Sequence, residues 1–153
     1  MKKKIWLILA AVLALILYFR PLSFPELSFE SGDHLSVNRV DLTIADGRPF
    51  MTSSIYDFEE DSPEAEAIGE ILERYSYHRS LRTLFPNTDL DGNDAGYWLY
   101  LWSDGLYISS GGTGEIVVND HVYRMGLLGN QTLLAFMEEI AAVLSEAEPA
   151  KSS

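Results

Sequence analysis

The chain has 153 residues, with 11 basic and 23 acidic side chains, three histidines, no cysteine and a formal charge of -12. A hydrophobic fraction of 47% is that of a globular chain and excludes a disordered acidic tail. The missing cysteine excludes a disulfide-stapled mini-protein and a lipid anchor attached through a thiol, and the acidic balance argues against a nucleic-acid partner.

The charge is split along the chain. Lys2, Lys3, Lys4 and Arg20, with no acid among them, make residues 1–20 carry +4, which leaves 7 basic against 23 acidic side chains, or -16, for the remainder. Between those lysines and Arg20 runs Ile5–Phe19, IWLILAAVLALILYF, without a polar interruption. A basic start before an apolar run is the pattern of an export signal. As a helix the run rises about 22 Å, short of the roughly 30 Å hydrocarbon core, which favours a cleaved signal. Bulky Leu15–Phe19 in place of a small-x-small cleavage site favours an uncleaved anchor, with Lys4 and Arg20 snorkelling to lengthen the span. In both readings the lysines stay cytoplasmic and the acidic part lies outside; a buried core helix is the third reading. Residues 1–20 are thus expected to be an anchor or signal. The expected localisation is a single-pass cell-membrane protein with its C-terminal domain outside, or a secreted domain after cleavage.

Residues 21–35, with Pro21, Pro25, Ser23, Ser28, Ser31 and Gly32, read as a linker. The domain proper is expected over residues 36–146. Val40, Leu42 and Ile44 alternate with Arg39, Asp41 and Thr43, the period-2 mark of a half-buried strand; Asp46-Gly47 turns the chain, and Phe50–Tyr56 is a second strand. Ser62-Pro63 is a cap followed by proline at the first helical position, and Ile68, Ile71, Leu72 and Tyr75 form the apolar stripe of a helix over Pro63–Ser76. Ser80–Phe85 is read as a short strand before Pro86-Asn87. Tyr97–Trp102, Leu106–Ser109, Glu115–Asn119 and Val122–Gly126 are four β-prone runs separated by Asp-, Gly- and Asn-rich turns, an antiparallel meander. Asn130 is placed as the cap of a last helix carrying Leu133, Met137, Ile140 and Leu144, and residues 147–153 as a disordered tail. The predicted order β-β-α-β-β-β-β-β-α, with two helices on one face of an antiparallel meander, is an α+β fold behind an N-terminal apolar helix.

The strand VDLTI (Val40–Ile44), the helix AIGEILERY (Ala67–Tyr75), the meander YWLYLWSDGLYI (Tyr97–Ile108) and the hairpin GEIVVNDHVYRM (Gly114–Met125) resemble a domain-of-unknown-function family of small exported or membrane-anchored proteins from Gram-positive gut anaerobes. The resemblance spans about Ser36–Ser145 and rests on element order and tyrosine spacing. It implies an extracytoplasmic location and a two-layer fold, and it brings no activity with it.

Three patches are candidate sites. Trp98, Tyr100 and Trp102 share one face of a strand whose other face is also apolar, and Tyr107 extends the row; flat aromatic rows suit glycan rings, peptides or partner proteins, unless loops cover them as ordinary core. Arg74, Arg79 and Arg82, around His78, form a basic island that suits a carboxylate or phosphate, or that simply pairs with Glu70, Glu73 and Asp89. Asp89, Asp91, Asn93 and Asp94 begin like a calcium loop, but Asp94 stands where that loop needs glycine and Tyr100 where it needs glutamate; turn-forming residues explain the same composition.

Catalytic patterns do not emerge. Residues 5–150 contain no lysine, and His34, His78 and His121 fall in different elements. Gly111-Gly112-Thr113-Gly114 lacks the lysine of a phosphate-binding loop, and no nucleophile elbow occurs. No cofactor is expected. The reading is a membrane-anchored extracytoplasmic binding domain without enzymatic activity, held to the membrane by its N-terminal helix and facing an envelope protein or glycan, with oligomeric state left open. A carboxylate-using hydrolase of envelope material and a calcium-modulated structural domain are the alternatives.

Overall fold

The computed structural model describes residues 2–24, 34–86 and 95–152. Helix α1 (Lys2–Tyr18) leads into a two-residue strand, β1 (Pro21–Leu22), and then two long strands, β2 (His34–Ala45) and β3 (Arg48–Glu59). Helix α2 (Pro63–Arg74) and strand β4 (Tyr77–Arg79) follow, then the meander β5 (Tyr97–Ser103), β6 (Leu106–Ser110), β7 (Glu115–Val118) and β8 (His121–Met125). Helix α3 (Asn130–Glu146) and a short β9 (Lys151–Ser152) end the described chain. The strands join into one antiparallel sheet in the order β1-β4-β8-β7-β6-β5-β2-β3-β9. The fold is α+β with the expected element order.

The turns are built from residues that tolerate a left-handed backbone. Asp46 and Gly47 both have positive φ, as do Asn119 and Asp120, which gives two-residue hairpins of the kind that match strand twist. Ser62 caps α2 by accepting from the Ala65 backbone N–H at 3.2 Å, with Pro63 at the first helical position. Helix α2 stops at Arg74, short of Ser76, because Tyr75 turns extended; two residues later the buried Tyr77 donates its hydroxyl to the Leu72 carbonyl at 2.9 Å. That bond satisfies one of the acceptors a helix end leaves open.

The core lies between one sheet face and helices α2 and α3. Leu99, Leu101, Ile108 and Ile116 point from the sheet into Ile68, Leu72, Phe136 and Ile140, all buried. Tyr75 meets Phe136 edge-on with ring centroids 5.4 Å apart, and Arg74 reaches Glu139 at 2.6 Å, so the two helices are joined by both apolar and ionic contact.

Several expectations need correction. The segment Ser80–Phe85 is not a strand. Strand β4 comes just before it, and Arg82–Leu84 is a short 3-10 turn, because Ser80 and Thr83 hydroxyls bind the local backbone N–H groups of Arg82 and Ser80 at 3.1 and 2.8 Å. The linker begins differently too: Leu22 and Phe24 are core residues, and Pro21 and Leu22 pair with His78 and Tyr77. Residues 25–33 lie outside the described residues. The tail is ordered at Lys151–Ser152, which pairs with Ile55 and Ser54, and Ala147 packs against the core. Gly129, at φ 57°, holds the cap position of α3, and Asn130 is the first helical residue.

The apolar row Val40, Leu42, Ile44 does not face the helices. Leu35 and Val37 supply the core contact of β2, and the two rows have opposite parity. Strand β2 is 12 residues long, and past Asn38 its helix-side face carries Arg39 and Asp41 in place of apolar groups. There the Arg39 guanidinium grips Asp41 at 2.8–3.0 Å and lies 4.5 Å over the Tyr97 ring. The hydrogen-bonded Asp41 carboxylate raises the Arg39 pKa still further.

Helix α1 stands apart. Its large apolar side chains are exposed from Ile5 to Leu17, with Trp6 at 72%. Its contact with the domain is at its end, where the Tyr18 hydroxyl approaches the Ser80 carbonyl at 3.4 Å and Arg79 lies 5.4 Å over the Tyr18 ring. With 17 residues it spans about 25 Å, and among the described residues no helix is long and apolar enough to cross a membrane.

Candidate functional site

The sheet has two unlike faces at β5. Leu99 and Leu101 are fully buried under the helices, while Trp98, Tyr100 and Trp102 point to the other side and are half-buried. Register places their neighbours on that outer face. Val40, Asn38 and Ser36 of β2 lie opposite Trp98, Tyr100 and Trp102, and on the other side Ser109 and Tyr107 of β6 lie opposite Tyr100 and Trp102. Cross-strand pairs at such positions are in side-chain contact range.

The outer face therefore alternates aromatic rings with short polar groups. Ser53 of β3 donates to Asn38 Oδ1 at 2.7 Å, and Ser36 donates to Asp57 Oδ1 at 2.7 Å, with His34 Nε2 at 3.5 Å from the same carboxylate oxygen. Burial, and then the neighbouring Tyr107, pushes the Tyr100 phenol above its ordinary value, so it remains a hydrogen-bond donor at neutral pH. Tyr107 is exposed. Toward the β2–β3 turn the row continues as Leu42, Met51 and Ile44, which are exposed; Ile44 reaches 75%.

Trp98 has a second neighbour. A Cβ added at Gly111 would sit 2.0 Å from Trp98 Cδ1 and 2.7 Å from its Nε1, so the Gly111 backbone lies against the indole edge. Glycine is required there by space. At Gly114, three residues on, φ is +79° and an added Cβ would meet the Asn130 backbone nitrogen at 2.4 Å. The glycine-rich loop is thus a spacer between the indole and the start of α3.

The basic island is dispersed. Arg74 pairs with Glu139, Arg82 with Glu115, and Arg79 stacks on Tyr18; Asp89, one of the acids expected to pair with them, lies outside the described residues. Arg79 ends β4 and Arg82 opens the 3-10 turn, and Arg74 is on the helix layer. Asp89, Asp91, Asn93 and Asp94 lie outside the described residues, among which no group of three or more metal-ligating side chains occurs. His34, His78 and His121 are separate: His34 faces Asp57, His78 faces Ser76, and His121 Nδ1 is 3.0 Å from the Thr83 carbonyl.

Comparison with protein-family models, with curated proteins and with solved structures finds no match.

Sequence reasoning missed the polar half of the face. Ser36, Asn38 and Ser53 are unremarkable in the linear chain, and only pairing brings them beside the aromatic row. The parity of β2 was the available signal: Leu35 and Val37 are apolar at odd positions, and Val40, Leu42 and Ile44 at even ones, so one strand serves two faces.

Proposed function

We propose that the chain is a membrane-anchored, extracytoplasmic binding domain without enzymatic activity, whose contact surface is the outer face of β3-β2-β5-β6. The observation that carries this reading is the half-exposed row Trp98, Tyr100 and Trp102 beside the half-buried Asn38 and Ser53, with Ser36 and Ser109 buried between the strands. A row of rings with hydroxyl and amide groups beside it suits an extended partner, because rings supply contact area and short polar groups fix orientation. A glycan strand or an extended peptide of the cell envelope has that form. Helix α1 supports the anchoring part, since its exposed apolar side chains need a hydrophobic surround; each large one gains about 1.5–3 kcal/mol on leaving water.

Retention of the full chain, in detergent micelles, on isolated envelope glycan and on immobilised envelope protein tests the surface. Trp102→Ala and Tyr107→Ala are the clean changes, because Trp98 also supports the Gly111 backbone. A central aromatic contributes about 2 kcal/mol or more to an interface, so each change should weaken binding about thirtyfold. Equal retention by a folded Trp102→Ala/Tyr107→Ala double variant on both materials refutes the assignment.

A further inference from the structure

The antiparallel order fixes which end of the sheet faces the anchor. Strand β4 runs toward Arg79, and β1 begins at the same end with Pro21, directly after α1. Following the alternation through β8, β7, β6, β5 and β2 puts the β2–β3 turn at Asp46-Gly47 at the opposite end. The side chains next to the exit of α1 are therefore those of β4 and the 3-10 turn after it.

That segment has an unusual composition for this domain. His78–Phe85 carries Arg79 and Arg82 and no acid, in a domain of charge -16. Leu81, Leu84 and Phe85 are large apolar residues, yet they are 70%, 52% and 68% exposed. The turn is held firmly rather than splayed: Thr83 is buried and donates to the Val122 carbonyl, Arg82 pairs with Glu115, and the Thr83 carbonyl meets His121. Three apolar side chains are thus presented outward from a fixed backbone, next to Ser80 and Arg79, which contact Tyr18.

We infer that Leu81, Leu84 and Phe85 form a second membrane contact, an interfacial foot resting on the outer leaflet beside the exit of α1. This rests on the anchoring role proposed for α1. Two observations select lipid as the occupant. The patch is linked through Ser80 and Arg79 to the end of the apolar helix. That helix spans about 25 Å where about 30 Å of hydrocarbon must be matched, which draws the domain's near end into the interface. Leucine and phenylalanine then sit at the acyl boundary, and Arg79 and Arg20 lie at the level of lipid phosphates.

Site-directed spin labelling decides it, since the chain has no cysteine of its own. Full-length Leu81→Cys, Leu84→Cys, Ile44→Cys and Leu13→Cys variants are labelled and reconstituted in phosphatidylcholine–phosphatidylglycerol vesicles. The accessibility of each label to oxygen, relative to a water-soluble nickel chelate, is then measured. The expected result is a ratio several-fold higher at positions 81 and 84 than at 44, and highest at 13. Labels at 81 and 84 as aqueous as that at 44, with 13 in hydrocarbon, overturn the interfacial foot and leave the anchor standing. An aqueous label at 13 removes the anchor, and the foot with it.

Discussion

Glycine shows how much local geometry a single hydrogen can decide. At Gly111 a methyl group meets the Trp98 indole at 2.0 Å, at Gly114 it meets the Asn130 backbone nitrogen at 2.4 Å with φ already positive, and at Gly69 it meets nothing within 4 Å. The same substitution should therefore have three outcomes. Gly111→Ala forces the indole to move and costs about 1–3 kcal/mol, with a shifted tryptophan emission. Gly114→Ala costs more, because backbone cannot yield and the left-handed conformation adds strain. Gly69→Ala, in the middle of α2, stabilises by up to about 1 kcal/mol. Denaturant midpoints for the three variants check the order. A Gly111→Ala protein as stable as the parent would show that the indole is free to swing away from its loop.

The pairing of α2 with α3 has a pH signature. The Tyr75 hydroxyl donates to Glu139 Oε1 at 2.8 Å, and burial first, then this hydrogen bond to an anion, pushes the phenol up from 10.0 to about 12. A pKa raised in the folded state means that the unfolded chain loses this proton first. The contribution is therefore whole below about pH 10 and is lost as pH rises from there through about 12. Burial also raises Tyr77, Tyr97, Tyr100 and Tyr123, so phenolate absorbance should show several tyrosines titrating late. Glu139→Gln should bring the Tyr75 step down while leaving it above 10.0, because desolvation remains the larger cause. A set of late titrations wholly unmoved by Glu139→Gln would assign the Tyr75 effect to burial alone. Strand β2 illustrates what periodicity can and cannot settle at this scale. The alternation over Arg39–Ile44 marks a strand, but which row faces the helices depends on the side of the sheet on which the helices pack. Ser80–Phe85 departs from its pattern for a related reason: its apolar residues resemble a strand, while Ser80 and Thr83 hydroxyls bind the local backbone and curl it.

The molecule as a whole joins two objects of unlike surface. The +4 segment is an apolar rod, and the -16 domain presents one aromatic face and one apolar foot to its surroundings. The proposed attachment through the rod is hydrophobic, so the full chain should stay with vesicles at 1 M salt, where charge attraction is screened to a few ångströms. Release by salt would show that attachment was electrostatic. Much of this division was legible in the linear chain, because a long apolar run, the turn residues and the stripe of α2 each reflect short-range chemistry. Composition, element order and the α+β class follow from it, as do the rows Trp98, Tyr100, Trp102 and Leu99, Leu101 on opposite faces. Only the tertiary structure decided which row the helices cover, that Leu22 and Phe24 belong to the core, and that Arg74 is separated from Arg79 and Arg82. It alone placed Ser36, Asn38 and Ser53 beside the rings and Leu81, Leu84 and Phe85 beside the exit of α1. Those relations join residues far apart in the chain through strand pairing and layer packing, and no local pattern encodes them.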